Sequence, residues 1–437
     1  MMKNGIMIFG VFFLLTSALQ AQQDSVWTLE ECITHALEKN IQVRKGELSN
    51  ERYHYYAHQS RAQRFPSVNA SLSQNYNWSK ASGGSGYNGM NGSNVSMNSS
   101  VTVFNGSRLT NQIKQADLDI QAGQYSLETI KESISLSIMN AYLQVLYAGE
   151  QVRNTERQIE STTGQVELAA ERLAIRLISQ ADYAQVRSQL ANEKLNLVNA
   201  LSQLAIARVN LEQLMELPVS DDFEIAFPDP EDMVNQNREP DVAEVYMTAL
   251  GIKPQVKNAE INKEIAALDE KIARAAYFPV LSASAGAGTS YSSMMTDPYF
   301  DQINNGIAPS LGLSLSIPIY QRKQVSTSVA VAQLSYQDAG LSELNTRNEL
   351  RKSIEQACLD VISAQADYEA SVENYQATSE SAALSDEKFR QGIINSVDYL
   401  VSKTNLILAE SNLLQSKYNM IFSYKVLDFY SGIPLTL

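Results

Sequence analysis

Two short stretches decide how this chain folds: Ser67–Trp78 (SVNASLSQNYNW) and Asn94–Phe104 (NVSMNSSVTVF). In the first, Val68, Ala70, Leu72, Tyr76 and Trp78 alternate with Ser67, Asn69, Ser71, Ser73, Asn75 and Asn77. In the second, Val95, Met97, Val101 and Val103 alternate with Asn94, Ser96, Asn98, Ser100 and Thr102. A period of two places every apolar side chain on one face of a strand. The other face is Ser, Asn and Thr, wet but almost uncharged. The Gly/Ser/Asn run Ser79–Ser93 between them reads as a long soft loop.

The same device returns at 280–291 and 310–319. There Leu281, Ala283, Ala285, Ala287 and Tyr291 alternate with Ser and Gly, and Leu311, Leu313, Leu315, Ile317 and Ile319 with Gly, Ser and Pro. Each segment has about the length a tilted strand needs to cross a bilayer, and apolar-out, polar-in alternation marks a transmembrane β-barrel. A soluble sandwich is the competing reading. Two hairpins surrounded by helical sequence give it little to pack against.

Residues 1–21 have the plan of a secretory signal: Lys3, an apolar run from Ile6 to Leu15, then small residues before Gln22. No other run reaches the ~18 apolar residues of a spanning helix. A membrane location through strands points to a bacterial outer membrane. The net charge of −14 carries no basic cluster suited to nucleic acid. Cys32 and Cys358 lie in separate helical patterns; they could pair in an oxidising compartment or serve as two small buried hydrophobes.

Helices occupy the rest. Trp27–Asn40 and Ile41–Arg64 precede the corner Phe65-Pro66, where proline ends the helix. From about 107 to 176 no proline interrupts the chain, which predicts a helix about 100 Å long. Ile113, Ile120, Leu127, Ile134, Ala141 and Ala148 fall every seventh residue, and Ile138, Val145, Val152, Ile159, Val166 and Leu173 form a second row. These are the a and d positions of a left-handed coiled coil. A reversal near Leu177–Gln180 leads into a return helix, about 180–217, with Leu190, Leu197, Leu204 and Leu211.

The programme then repeats. Phe65-Pro66 matches Phe278-Pro279, 213 residues on; past the hairpin the spacing is 216, as in Asp182-Tyr183 and Asp398-Tyr399, or Leu217-Pro218 and Ile433-Pro434. The expected units are a first repeat at 22–217, a linker at 218–249 and a second repeat at 250–437, whose long helix spans about 322–391 and return helix about 395–431. The fold class is therefore mainly α with membrane β, in duplicated helix–hairpin–helix halves. Four strands cannot close a barrel, so copies must combine: two give eight strands, three give twelve.

No catalytic constellation is visible. His54 and His58 stand at metal-ligand spacing without a third ligand, and Gly83-Gly84-Ser85-Gly86 lacks the Lys of a phosphate loop. No cofactor or metal is expected.

Duplicated halves, a strand hairpin before a long heptad helix, the two Phe-Pro corners and the motif Lys388–Asp398 (KFRQGIINSVD) resemble the outer-membrane efflux (TolC-like) family. The resemblance implies a homotrimer in the outer membrane, with a 12-stranded β-barrel continued by an α-helical coiled-coil tunnel across the periplasm. It also implies docking onto a periplasmic adaptor protein and an inner-membrane transporter, for efflux or type I secretion. Its periplasmic mouth would be narrowed by helix-reversal residues. Asp398 matches the family's first gate acid, while Val401 replaces the second. Phe389 and Ile394 stand where some members have Tyr and Arg. Arg176 replaces the glycine kept as Gly392, and Asp182 is retained. A trimeric surface stalk anchored by its hairpins is the alternative, though a stalk has no need to return its chain twice.

Overall fold

The computed structural model describes residues 26–80, 87–218, 223–227 and 240–436; the expected signal segment and most of the expected linker lie outside them. Two helices, α1 (Leu29–Lys39) and α2 (Ile41–Ala62), lead to strands β1 (Ser67–Lys80) and β2 (Tyr87–Phe104). Then come α3 (Arg108–Ala174) and α4 (Gln180–Leu214). The second copy follows as α5 (Val242–Ile252), α6 (Pro254–Arg274), β3 (Val280–Ser292), the short α7 (Tyr299–Asn305), β4 (Ala308–Ser316), α8 (Gln324–Arg390) and α9 (Ser396–Ser431).

Local chemistry fixes the ends. Thr28 and Glu31 form a capping box at α1, and the Asp241 carboxylate accepts the amides of Ala243 and Glu244 at α5. The helix α5 thus begins inside the expected linker, and a boundary at 249/250 cuts it. Asp241 was the available signal.

The four strands form one antiparallel sheet in the order β1-β2-β3-β4. Its register puts Leu72 beside Val95 and Thr289, and Ala283 beside Val101 and Leu313. The opposite face carries rungs such as Ser67, Ser100, Ser284 and Gly312. One face is apolar, the other a hydroxyl and amide surface. Two strand boundaries differ from expectation, and one connection contains a helix. Pairing continues to Lys80 opposite Tyr87, well into the expected loop, because backbone ladders need no apolar alternation. The segment between β3 and β4 contains α7. And β4 stops at Ser316 rather than near 319, since Pro318 has no N–H to continue the ladder.

The helices form one layer below the sheet, where α3 packs between α2 and α6, and α6 packs against α8. Farther down, α3 pairs with α4 and α8 with α9. Two cores hold them. One gathers Cys32, Ile138, Met139, Tyr142, Val145 and Leu211; the other gathers Val256, Leu350, Ile354, Cys358 and Val361. The cysteines are free, buried and in different cores. On α4 the most buried row runs through Val186, Glu193 and Ala200; beside it Leu190, Leu197 and Leu204 are half-covered and Leu211 is buried.

The duplication is also written in the backbone. Among the described residues eight have positive φ: Gly106, Ser107, Arg176 and Glu216, then Arg322, Lys323, Gly392 and Gly432, each exactly matched 216 residues later. At four of them the chain leaves a helix through a Schellman motif, as where Leu177 N–H donates to the Arg172 carbonyl and Ile393 N–H to that of Lys388.

Candidate functional site: the helix-reversal tip

Both long hairpins turn at the same end of the molecule, and their tips meet there. Arg176 (φ 61°) and Gly392 (φ 75°) occupy the left-handed residue of the two turns. Nothing lies within 4 Å of where a Gly392 Cβ would sit, so a side chain there pays only backbone strain. Gly392→Ala is expected to cost about 1 kcal/mol and speed amide exchange at the second tip; Arg176→Gly slows exchange at the first by a smaller factor, since glycine also loosens the unfolded chain. Exchange unchanged in both would show that the turns do not set tip order.

The two reversal acids are not equivalent. Asp182 closes a capping box with Ser179 at α4: the Ser179 N–H donates to its Oδ2 (3.2 Å), and the Asp182 N–H to Ser179 Oγ (3.1 Å). Its other oxygen accepts Ser396 Oγ–H of the second hairpin at 2.5 Å. Hydrogen bonds from Ser179 and then Ser396 hold the Asp182 carboxyl below the usual carboxylate range. At α9, Asn395 provides the cap instead, accepting the Asp398 N–H at 2.9 Å. The Asp398 carboxylate is exposed and has no hydrogen bond or ion pair among the described residues.

Phe389 is buried and stacks on Tyr399, ring centroids 4.6 Å apart, so it belongs to the α8–α9 core. Ile394 is half-buried and Val401 exposed. Over them lies Arg172, its guanidinium 5.7 Å from the Phe389 ring, donating to the carbonyls of Phe389 (2.8 Å) and Arg390.

Arg172 tops a polar ladder along α3 that the sequence reading missed. Gln158 donates to Glu410 (2.9 Å) and Gln165 to Asp386 (2.7 Å), and Asp386 also pairs with Arg390. Between these rungs Lys403, 9% exposed, donates to Thr162 Oγ1 and lies 3.8 Å from Glu193, which is fully buried. Burial pushes the Lys403 ammonium down, opposed by Glu193, Asp386 and Glu410. Gln158, Gln165 and Arg172 are seven apart, and that spacing was the signal to find.

The sequence pattern of the outer membrane efflux protein family matches residues 32–216 and 245–432, most of both halves. The chain belongs to this family. Outer membrane protein TolC of Escherichia coli (strain K12) is 24% identical over 353 residues, 77% of this chain and 70% of TolC. The pyoverdine export outer membrane protein OpmQ of Pseudomonas aeruginosa is 28% identical over 194 residues, 44% of this chain and 40% of OpmQ. In fold the chain is similar to CusC (TM-score 0.79, 17% identity, 92% of each chain). It is similar also to the Vibrio cholerae outer membrane protein VceC (TM-score 0.75, 16% identity, 92% of this chain and 94% of VceC). This outer membrane efflux protein is thus an outer-membrane channel, its sheet the membrane part and its helices the periplasmic tunnel.

Proposed function

We propose that three copies close side by side into a passive duct of twelve strands and a helical tunnel, receiving substrate from an inner-membrane transporter through a periplasmic adaptor docked near the reversal tips. The observation carrying this is that the chain is open on both sides at two heights. Among the described residues, strands β1 and β4 are free sheet edges. The flanking helices α2 and α8 show exposed apolar residues at heptad spacing, Ile41, Leu48 and Tyr55 on one and Leu334 and Leu341 on the other. Lipid cannot satisfy an open edge, and water cannot favour such rows. Pairing β1 with a neighbour's β4, and α2 with a neighbour's α8, removes both costs. Light scattering of purified protein should give a detergent-stable trimer; a water-soluble monomer would refute the reading.

At the mouth, Asp182 is a hairpin tie and Asp398 a bore-facing charge. Three Asp398 carboxylates in a narrow passage favour cations and bind polycationic blockers. Asp398→Asn is expected to lower cation preference and blocker affinity with conductance kept, whereas Asp182→Asn loosens closure without changing selectivity. Acid should mimic the second change. Since the Asp182 carboxyl is held down, its tie is intact above the ordinary 3.8 and fails as the pH falls through the lowered value. Planar-bilayer recordings separate the roles: equal, small effects of both substitutions would leave Asp182 only as a helix cap and Asp398 only as a charge favourable to a helix N-terminus.

A further inference from the structure

The chain is acidic overall, yet where strands meet helices it is basic. The four joining segments 59–66, 104–111, 271–279 and 317–326 contain seven Arg or Lys and no Asp or Glu, against a net charge of −14. Arg61 is paired with Asp117 and Arg274 with Glu270. The other five, Arg64, Arg108, Lys271, Arg322 and Lys323, are exposed and have no ion pair among the described residues.

Two of them flank a cleft of about 680 Å³ at the foot of the sheet, walled by Arg108, Ile272, Ala276, Tyr320, Arg322 and Val325. In the chain leading from β4 to Tyr320 of this cleft, Ile317 and Ile319 continue the odd-numbered apolar series of Leu311, Leu313 and Leu315, and Ile319 is 95% exposed. A cationic floor under an apolar wall, at the end of membrane strands, matches an anionic lipid: phosphate below, acyl chains above.

Backbone strain points to the same place. Arg322 (φ 48°) and Lys323 (φ 62°) hold left-handed conformations that the first copy gives to Gly106 (φ 66°) and Ser107 (φ 65°). Arg322 thus occupies a position where glycine serves the turn at lower cost, and Lys323 puts a second long cation where the first copy has serine. Strain kept at a surface site is a pointer to what that site contacts.

We propose that this cleft binds the phosphate headgroup of an anionic phospholipid of the periplasmic leaflet, between Arg108 and Arg322 with Lys323 adjoining, anchoring the barrel at its depth. The proposal rests on the membrane reading of the sheet.

The test uses the full trimer in nanodiscs of phosphatidylethanolamine containing one-fifth phosphatidylglycerol, with retained lipid counted by native mass spectrometry. Wild-type protein should enrich phosphatidylglycerol about threefold over its one-fifth share. The double variant Arg322→Gly/Lys323→Ser restores the first copy's turn, so it should fold and conduct as well as wild type while enrichment falls towards one. Arg108→Gln should lower it in part. No enrichment in wild type, or full enrichment in the double variant, overturns the proposal. So does stripping of the lipid by millimolar inorganic phosphate, which would make the cleft a simple anion site. A protein that neither inserts nor conducts would refute the barrel reading instead, and conductance distinguishes the two failures.

Discussion

Replacing Val145 or Val361 with Asp abolishes assembly of the channel while the signal segment is still removed. The two valines are equivalent members of the two copies, 1% and 0% exposed, each within one of the two helical cores. An aspartate there would sit in a core built mainly of apolar side chains. It must either stay ionised without a partner or take up a proton, and both routes cost several kcal/mol. Natural domains have a margin of about 5–15 kcal/mol, so one such charge per copy, three per assembly, is enough to block it. Trimer yield on detergent gel filtration checks this. Normal yield from either variant would mean that the heptad rows do not form the packed seam.

Lys403→Met opens the closed mouth. Its ammonium is the cation beside the fully buried Glu193, and this contact ties α4 of the first hairpin to α9 of the second. Removing Lys403 leaves the buried Glu193 carboxylate with only the Gln189 amide (3.0 Å) and no counter-charge at hand; breaking a buried pair in this way typically costs about 3–5 kcal/mol, whereas replacing both partners by apolar groups is often neutral. The single variant should therefore show longer and more frequent open events in bilayer recordings and faster proteolysis between the hairpins. The double variant Lys403→Met/Glu193→Leu should restore closure. Indistinguishable single and double variants would show that this pair does not hold the mouth.

Most of the architecture was legible because it is periodic. Alternation from Ser67 to Trp78 set the sheet faces, the valine and isoleucine rows set the seam, and the Phe-Pro corners set the copy spacing. What escaped notice depends on partners far along the chain. Gln158, Gln165 and Arg172 look like solvated positions until residues more than 200 away, Glu410, Asp386 and Phe389, are brought against them. Glu193 hid for the opposite reason, since a carboxylate inside a leucine-rich helix reads as surface. Gly392 and Arg176 stood out as a mismatch. Only the backbone shows that arginine keeps the left-handed turn rather than changing it. The early stop of β4 was readable at Pro318 and was passed over because the apolar alternation continues through it.

The sheet order also fixes a timetable. Pairs β1–β2 and β3–β4 are local hairpins, and α3–α4 and α8–α9 join neighbours across short turns. The ladder between β2 and β3 instead joins residues such as Gly92 and Ser292, two hundred positions apart. Contacts that close long loops form late, because their entropy must be lost before the contact repays it. Helical hairpins are thus the early species, and the central seam of the sheet waits for the two halves to dock. Until then four strands with bare edges travel through an aqueous compartment, protected from one another chiefly by the Ser and Asn that will later line the bore. The wet face is a solubility device during biogenesis before it is the wall of a channel.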